Sequence, residues 1–198
     1  MKNLFTAIEE RRSIYDIGSE SPISDDRIKE IIEHSIKHAP TAFNSQNGRV
    51  ILLLNEENNK FWDITLNELK KNIPEENFSN TKEKVNGFKD GHGTVLFFED
   101  MKPVKELQEK FPLYSDNFPI WSKHAIGMLQ YIVWTSVRTE DLGASLQHYT
   151  EVIKESIYDE WSIDNNWELV AQMPFGNILT PAGDKEFMPM EKRLKIYE

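Results

Sequence analysis

Cysteine is absent from all 198 residues, which excludes disulfide staples, thiolate nucleophiles and cysteine-ligated metal centres. Positive charge is scarce as well: 23 Lys and Arg stand against 33 Asp and Glu, a formal charge of −10. A chain this acidic lacks the clustered cations that phosphate backbones require, so no nucleic-acid partner is expected, although one local basic pocket remains compatible with it. No apolar run approaches the ~18 residues of a membrane-spanning helix, and the opening MKNLFTAIEERRS has no unbroken apolar core of secretory-leader length. A cytoplasmic protein with no membrane partner is the expectation. Missing too are a Ser-His-Asp elbow, a pair of catalytic carboxylates and a phosphate loop, which leaves hydrolase and kinase readings without support.

What is present suits a folded protein: 39% of residues are apolar and 11% aromatic, enough for one sizeable core. No linker, repeat or low-complexity tract divides residues 1–198, so a single domain is expected, ending in an extended tail that carries Gly183 and two prolines. Ser24-Asp25-Asp26 reads as a helix start with acids in the first turn, and Ile28, Ile31, Ile32 and Ile36 recur at helical spacing until Ala39-Pro40. Arg49 to Leu54 and TVLFFE (94–99) are continuous apolar runs and predict buried strands; Ala144–Gln147 and Trp167–Pro174 predict two more. Further helices are expected near 3–12, around Phe61–Leu69, at Thr81–Phe88, after Pro103 and at Thr150–Tyr158. From Phe118 to Arg138 a long helix is apolar on more than one face, the mark of a core or oligomer-interface helix. The expected class is α+β, a few-stranded sheet with helices on both faces.

Four constellations bear on chemistry. Arg11-Arg12-Ser13 at a helix end joins two guanidinium groups and a hydroxyl, a grip for an oxyanion; the plain alternative is a charge pair complementing the helix dipole. His34 and His38 have the i, i+4 spacing of metal ligands, yet no acidic residue lies between them in the metalloprotease arrangement and no third ligand can be named, so no metal site is expected. Asn86-Gly87-Phe88-Lys89 precedes a core strand without matching any glycine fingerprint for nucleotides, and Lys192-Arg193 punctuates the irregular tail. The small polar run PTAFNSQN (40–47) directly before the first apolar strand is rich in side-chain amides.

In order and spacing, RRS near the start, PTAFNSQ before the first strand, NGFK before the second, LGASLQHY after the long helix and FGNILTPAG before the tail resemble the nitroreductase family. The likeness runs from about Arg11 to Arg193 and is strongest to a small nitroreductase-like branch that includes copper-induced members. The resemblance implies a three-layer α-β-α sandwich with a mixed, mostly antiparallel sheet, a homodimer, and FMN as cofactor. By position, Arg11, Arg12 and Ser13 would hold the FMN phosphate, with Arg193 and Lys192 closing on it from the tail. Asn44 and Gln46 belong to the loop that the partner subunit lays against the flavin, Asn86 and Lys89 to the pyrimidine edge, and Gln147 and His148 to the segment passing flavin N5. The family's chemistry is electron transfer from NAD(P)H through N5 to nitroaromatic, quinone or similar acceptors by ping-pong; a non-enzymatic flavin-binding or regulatory protein, tied to fatty-acid or stress responses, is the alternative. Better-known members carry a lysine where this chain has Tyr15, which leaves Lys89 as the expected cation beside the reduced ring and implies a lower flavin potential.

Overall fold

The structure, a computed structural model, describes residues 3–198. At its centre is β3 (Gly93–Asp100), in which every residue is buried. Its neighbours are β2 (Gly48–Leu54), paired from Gly48↔Glu99 to Leu54↔Gly93, and β5 (Trp167–Ile178), paired from Gly93↔Phe175 to Asp100↔Trp167 with an irregularity at Phe97/Phe98. β5 continues past β3 to hold β1 (Ile17–Gly18) and β4 (Leu142–Ala144). A strand covered on both faces has no solvated side to keep polar, which is why TVLFFE reads as an unbroken apolar run.

Alternate residues of β3 feed two cores. Val95 and Phe97 pack with Ile28, Ile31 and Ile32 of α2 (Asp25–His38) and with Ile126, Leu129, Val133 and Val137 of α6 (Phe118–Thr139). Leu96 and Phe98 pack instead with Phe61, Trp62 and Leu69 of α3 (Asn55–Asn72), Val85 and Phe88 of α4 (Glu75–Lys89), and Ile153 and Ile157 of α7 (Thr150–Glu160). The result is a three-layer α-β-α sandwich. α1 (Leu4–Glu10) lies against α6, and α5 (Met101–Lys110) follows β3. Ser24 caps α2 as its sequence predicts, its Oγ accepting from the Arg27 amide at 3.2 Å.

Several boundaries differ from expectation. α4 starts at Glu75 rather than Thr81: Pro74 precedes it, and Glu75-Glu76 suit the positive end of the helix dipole even though apolar residues are sparse there. The strand expected at 144–147 lies at Leu142–Ala144, and Gln147 meets Gln172 only through an isolated bridge. β1, two residues long, is too short to show a period. All named strand pairs are antiparallel, so the mixed character is confined to one parallel bridge, Ser13 to Ala144. After Ile178 the tail is irregular apart from a 3-10 turn at Met190–Lys192, with Phe187, Met188, Ile196 and Tyr197 exposed.

Candidate functional site

α1 ends at Arg11 because the chain must turn extended to run beside β4: the Ile14 amide donates to the Ala144 carbonyl at 3.0 Å. Arg11 is half-buried, its guanidinium carbon 4.3 Å from the Trp134 ring centroid and 5.9 Å from that of Tyr131, both on α6. Its Nε is buried without a hydrogen-bond partner. A buried donor left unpaired costs about 1–3 kcal/mol, so an acceptor that reached this nitrogen would be bound favourably. Arg12 is half-buried and the Ser13 side chain is open to solvent beside it.

Two residues on, Tyr15 is 56% exposed and its ring lies 6.4 Å from Phe88 of α4. Above it sits a cation that the motifs do not mark: Lys84 Nζ is 5.9 Å from the Tyr15 ring centroid and 5.8 Å from that of Phe88. Lys84 and Phe88 share a helix face at i, i+4, the signal that would have found it. Lys89 projects elsewhere and is paired with Asp63, its Nζ 2.7 and 2.8 Å from the two carboxylate oxygens. It lines a polar pocket of 620 Å³ with Gly18, Asn58 and His92. The lysine whose ammonium lies over the Tyr15 ring is thus Lys84, while Lys89 is engaged by Asp63. Asn86 is half-buried between the two, its carbonyl accepting from the Asp90 amide at 2.9 Å.

The segment after β4 is fixed by its backbone and by side-chain amides. Gln147 and Gln172 exchange backbone hydrogen bonds at 2.7 and 2.9 Å, the Gln147 amide nitrogen donates to Ser145 Oγ at 3.0 Å, and Gln172 Oε1 accepts from the Tyr149 amide at 2.9 Å. Gln147 is buried and His148 exposed. Burial pushes the Tyr149 hydroxyl above the usual tyrosine range, and Tyr15 adds to the shift, so the two phenols are neighbours.

The amide-rich loop lies at the other end of α6. Phe43, Asn44 and Gln46 all have left-handed backbones, with φ of 54°, 52° and 45°, a conformation that costs about 1–2 kcal/mol for a residue other than glycine and less for Asn. Thr41 Oγ1 accepts from the Gln46 amide at 3.1 Å, and Arg49, paired with Asp100 at 2.7 Å, donates to the Gln46 carbonyl at 2.6 Å. The Phe43 ring is set against Phe111, Phe118 and Trp121, with centroids 5.0, 5.3 and 6.3 Å away. Asn44 and Gln46 face a 190 Å³ groove shared with Ile36, Lys37 and Leu129. Trp134 lies thirteen positions beyond Trp121 on α6, about 20 Å along the helix axis. Within one chain, then, this loop and Arg11 stand apart. Lys192 and Arg193 are exposed in the tail, and among the described residues no hydrogen bond, ion pair or ring contact joins Arg193 to Arg11. No group of three or more potential metal ligands occurs among the described residues.

At one edge of the sandwich lie a buried guanidinium nitrogen without a partner and a lysine over the Tyr15 ring. Residues 8–177 match the profile of the Nitroreductase family, and the chain belongs to that family; it is an oxidoreductase. It is 34% identical over 180 residues to the putative nitroreductase HBN1 of Saccharomyces cerevisiae, covering 90% of this chain and 89% of that one. Nitroreductase CinD from Lactococcus lactis, solved with nicotinic acid, is 40% identical with a TM-score of 0.92 over 99% of this chain and 100% of its own; it has also been solved with chloramphenicol and with 4-nitrophenol. A putative nitroreductase from Desulfovibrio desulfuricans in complex with FMN shares the fold at a TM-score of 0.70 and 17% identity, covering 100% of this chain and 99% of its own.

Proposed function

We propose that this chain is an FMN-dependent NAD(P)H oxidoreductase acting on planar nitroaromatic, quinone or similar acceptors, as a homodimer in the cytoplasm. The observation that carries the reading is Arg11, whose buried Nε lacks an acceptor beside the open Ser13 hydroxyl. A phosphate answers both, since it accepts from guanidinium and hydroxyl together. Bound FMN would supply the redox chemistry, taking a hydride and passing two electrons on.

The protein's own residues bind, orient and shield. Arg11, Arg12 and Ser13 would hold the phosphate, with Arg193 and Lys192 reaching it from a tail. Lys84, which has no carboxylate partner among the described residues, would balance negative charge at the pyrimidine edge from its place over Tyr15. Asn86 would stand nearby, and Gln147 and His148 on the segment that passes N5. Lys89, already neutralised by Asp63, would contribute less. Asn44 and Gln46 offer donors and acceptors to a ring edge, and their distance from Arg11 within one chain supports their coming from the second subunit. The exposed apolar residues Ile120, Met128 and Tyr131 on α6 support the same dimer. Phe43 and Trp121, with His124 and Met128, border a 400 Å³ opening suited to a flat ring, in line with the aromatic ligands of CinD.

Anaerobic titration of the FMN-loaded protein tests this directly. NADH or NADPH should bleach the oxidised flavin band, and a nitroaromatic or quinone should restore it without a ternary complex, giving parallel-line kinetics. Arg11→Ala should weaken FMN binding roughly 10- to 100-fold. Protein that takes up no FMN would end the reading.

A further inference from the structure

The turn that carries Phe43, Asn44 and Gln46 has a left-handed backbone at all three, and of these only the asparagine takes that conformation at little cost. Such a turn persists where its surroundings over-determine it. Its near side is held from within: the Asn44 and Ser45 amides donate to the Thr41 and Ala42 carbonyls at 3.1 Å each, and the Gln46 amide donates to Thr41 Oγ1 at 3.1 Å. Its far side, the Gln46 carbonyl, is held by a side chain from the start of β2. Arg49 Nη1 donates to that carbonyl at 2.6 Å and to the Gly48 carbonyl at 3.1 Å, while Nη2 donates to Asp100 Oδ2 at 2.7 Å. The Arg49 guanidinium carbon also lies 5.8 Å from the ring centroid of Trp167 on β5.

Asp100, the last residue of β3, has work for its second oxygen too. Oδ1 accepts from the Lys102 amide at 3.0 Å and caps α5. Phe111 closes the other end of α5, and its ring lies 5.0 Å from that of Phe43. The contacts form a closed circuit, from Gln46 through Arg49 and Asp100 along α5 to Phe111 and back to Phe43.

We propose that Arg49 is a positioning residue for the electron-acceptor face: anchored on Asp100, its guanidinium clamps the turn at Gln46 and thereby places Phe43 and Asn44. The clamp rests on bonds within this chain; only its bearing on the electron acceptor rests on the function proposed above.

Three oxygens in different directions are met by separate N–H groups of one rigid, planar fork. An ammonium on a flexible stem carries the same charge without that fixed geometry, so lysine is no substitute here. The carboxylate is equally specific, since each of its oxygens has a donor. An asparagine at position 100 would keep its one oxygen on the α5 cap, a place asparagine fills well, and would turn its NH2 toward the guanidinium, donor against donor. The two side chains are 31% and 11% exposed, so water competes for these bonds less than it does at an open surface.

Site-resolved amide hydrogen exchange on the full chain reads the turn directly. Arg49→Lys and Asp100→Asn should each make the Gln46 amide exchange roughly 10- to 100-fold faster, while the amides of β3 keep their wild-type rates. The double variant should exchange no faster than the faster single one, because either substitution already opens the clamp. In FMN-loaded protein both variants should bind 4-nitrophenol roughly 10-fold more weakly in an equilibrium titration. Unchanged exchange at Gln46, amides of β3 that accelerate along with it, or additive effects in the double variant overturn the clamp. Unchanged 4-nitrophenol binding overturns its bearing on the acceptor. Protein that takes up no FMN ends the functional reading, yet the exchange experiment is still read on the chain alone, so the clamp and the function fail separately.

Discussion

Single residues decide where charge sits around the site, and the two lysines of α4 illustrate how. Lys84 and Lys89 are five residues apart, far enough round the helix to face different neighbours. One ends 5.9 Å from the Tyr15 ring, the other 2.7 Å from a carboxylate. A cation already paired has less field to offer a developing negative charge than one resting on an aromatic face. Lys84→Met should therefore lower the midpoint potential of bound FMN, whereas Lys89→Met should leave it close to wild type. Spectroelectrochemical titration of both variants checks this, and equal shifts would remove the distinction. On the proposed flavin-binding reading, Lys84 would offset the low potential that Tyr15 implies by itself, so Tyr15→Lys should raise the potential by less than a missing cation would suggest.

At the scale of elements, the edge of the site depends on how closely β5 is approached by its neighbours. A Cβ on Gly176 would lie 2.0 Å from the Gly18 carbonyl oxygen and 3.0 Å from the His92 amide nitrogen, both backbone atoms that cannot swing away. Gly176→Ala should destabilise the fold by about 3 kcal/mol and lower Tm by roughly 6–12 °C in calorimetry. Gly127 on α6 has nothing within 4 Å of the same added atom inside the chain. Replacing a mid-helix glycine there with alanine should gain about 1 kcal/mol from helix propensity. If Gly127→Ala loses stability instead, the exposed face of α6 is already occupied by a second subunit.

For the molecule as a whole, the arrangement of the site argues for two copies. The strained loop and Arg11 occupy opposite ends of α6, and the tail beyond β5 lies exposed with large apolar side chains unburied. Light scattering of the FMN-loaded protein should report a dimer. Removing residues 180–198 should leave the sheet intact, since β5 ends at Ile178, but weaken FMN binding by roughly 10- to 100-fold through loss of charge-assisted contacts from Arg193. A truncated chain that binds FMN as tightly as the full one would show that the tail plays no part. No helix among the described residues is long and apolar enough to cross a membrane.

Local pattern was sufficient for much of this. The caps, the isoleucine spacing of α2, the unbroken apolar run of β3 and the breadth of apolar surface on α6 all act over a few residues, so their consequences can be read along the chain. The ordered motifs were equally local, and they led to the nitroreductase family and the three-layer fold. Contacts between residues far apart in sequence could not be read that way. That Asp63 claims Lys89, that Tyr15 receives Lys84, and that a buried asparagine before β2 bonds to a serine on α6 are results of packing. Helical periodicity fixes which way a side chain leaves its own element, but what it meets there is chosen only when the layers close.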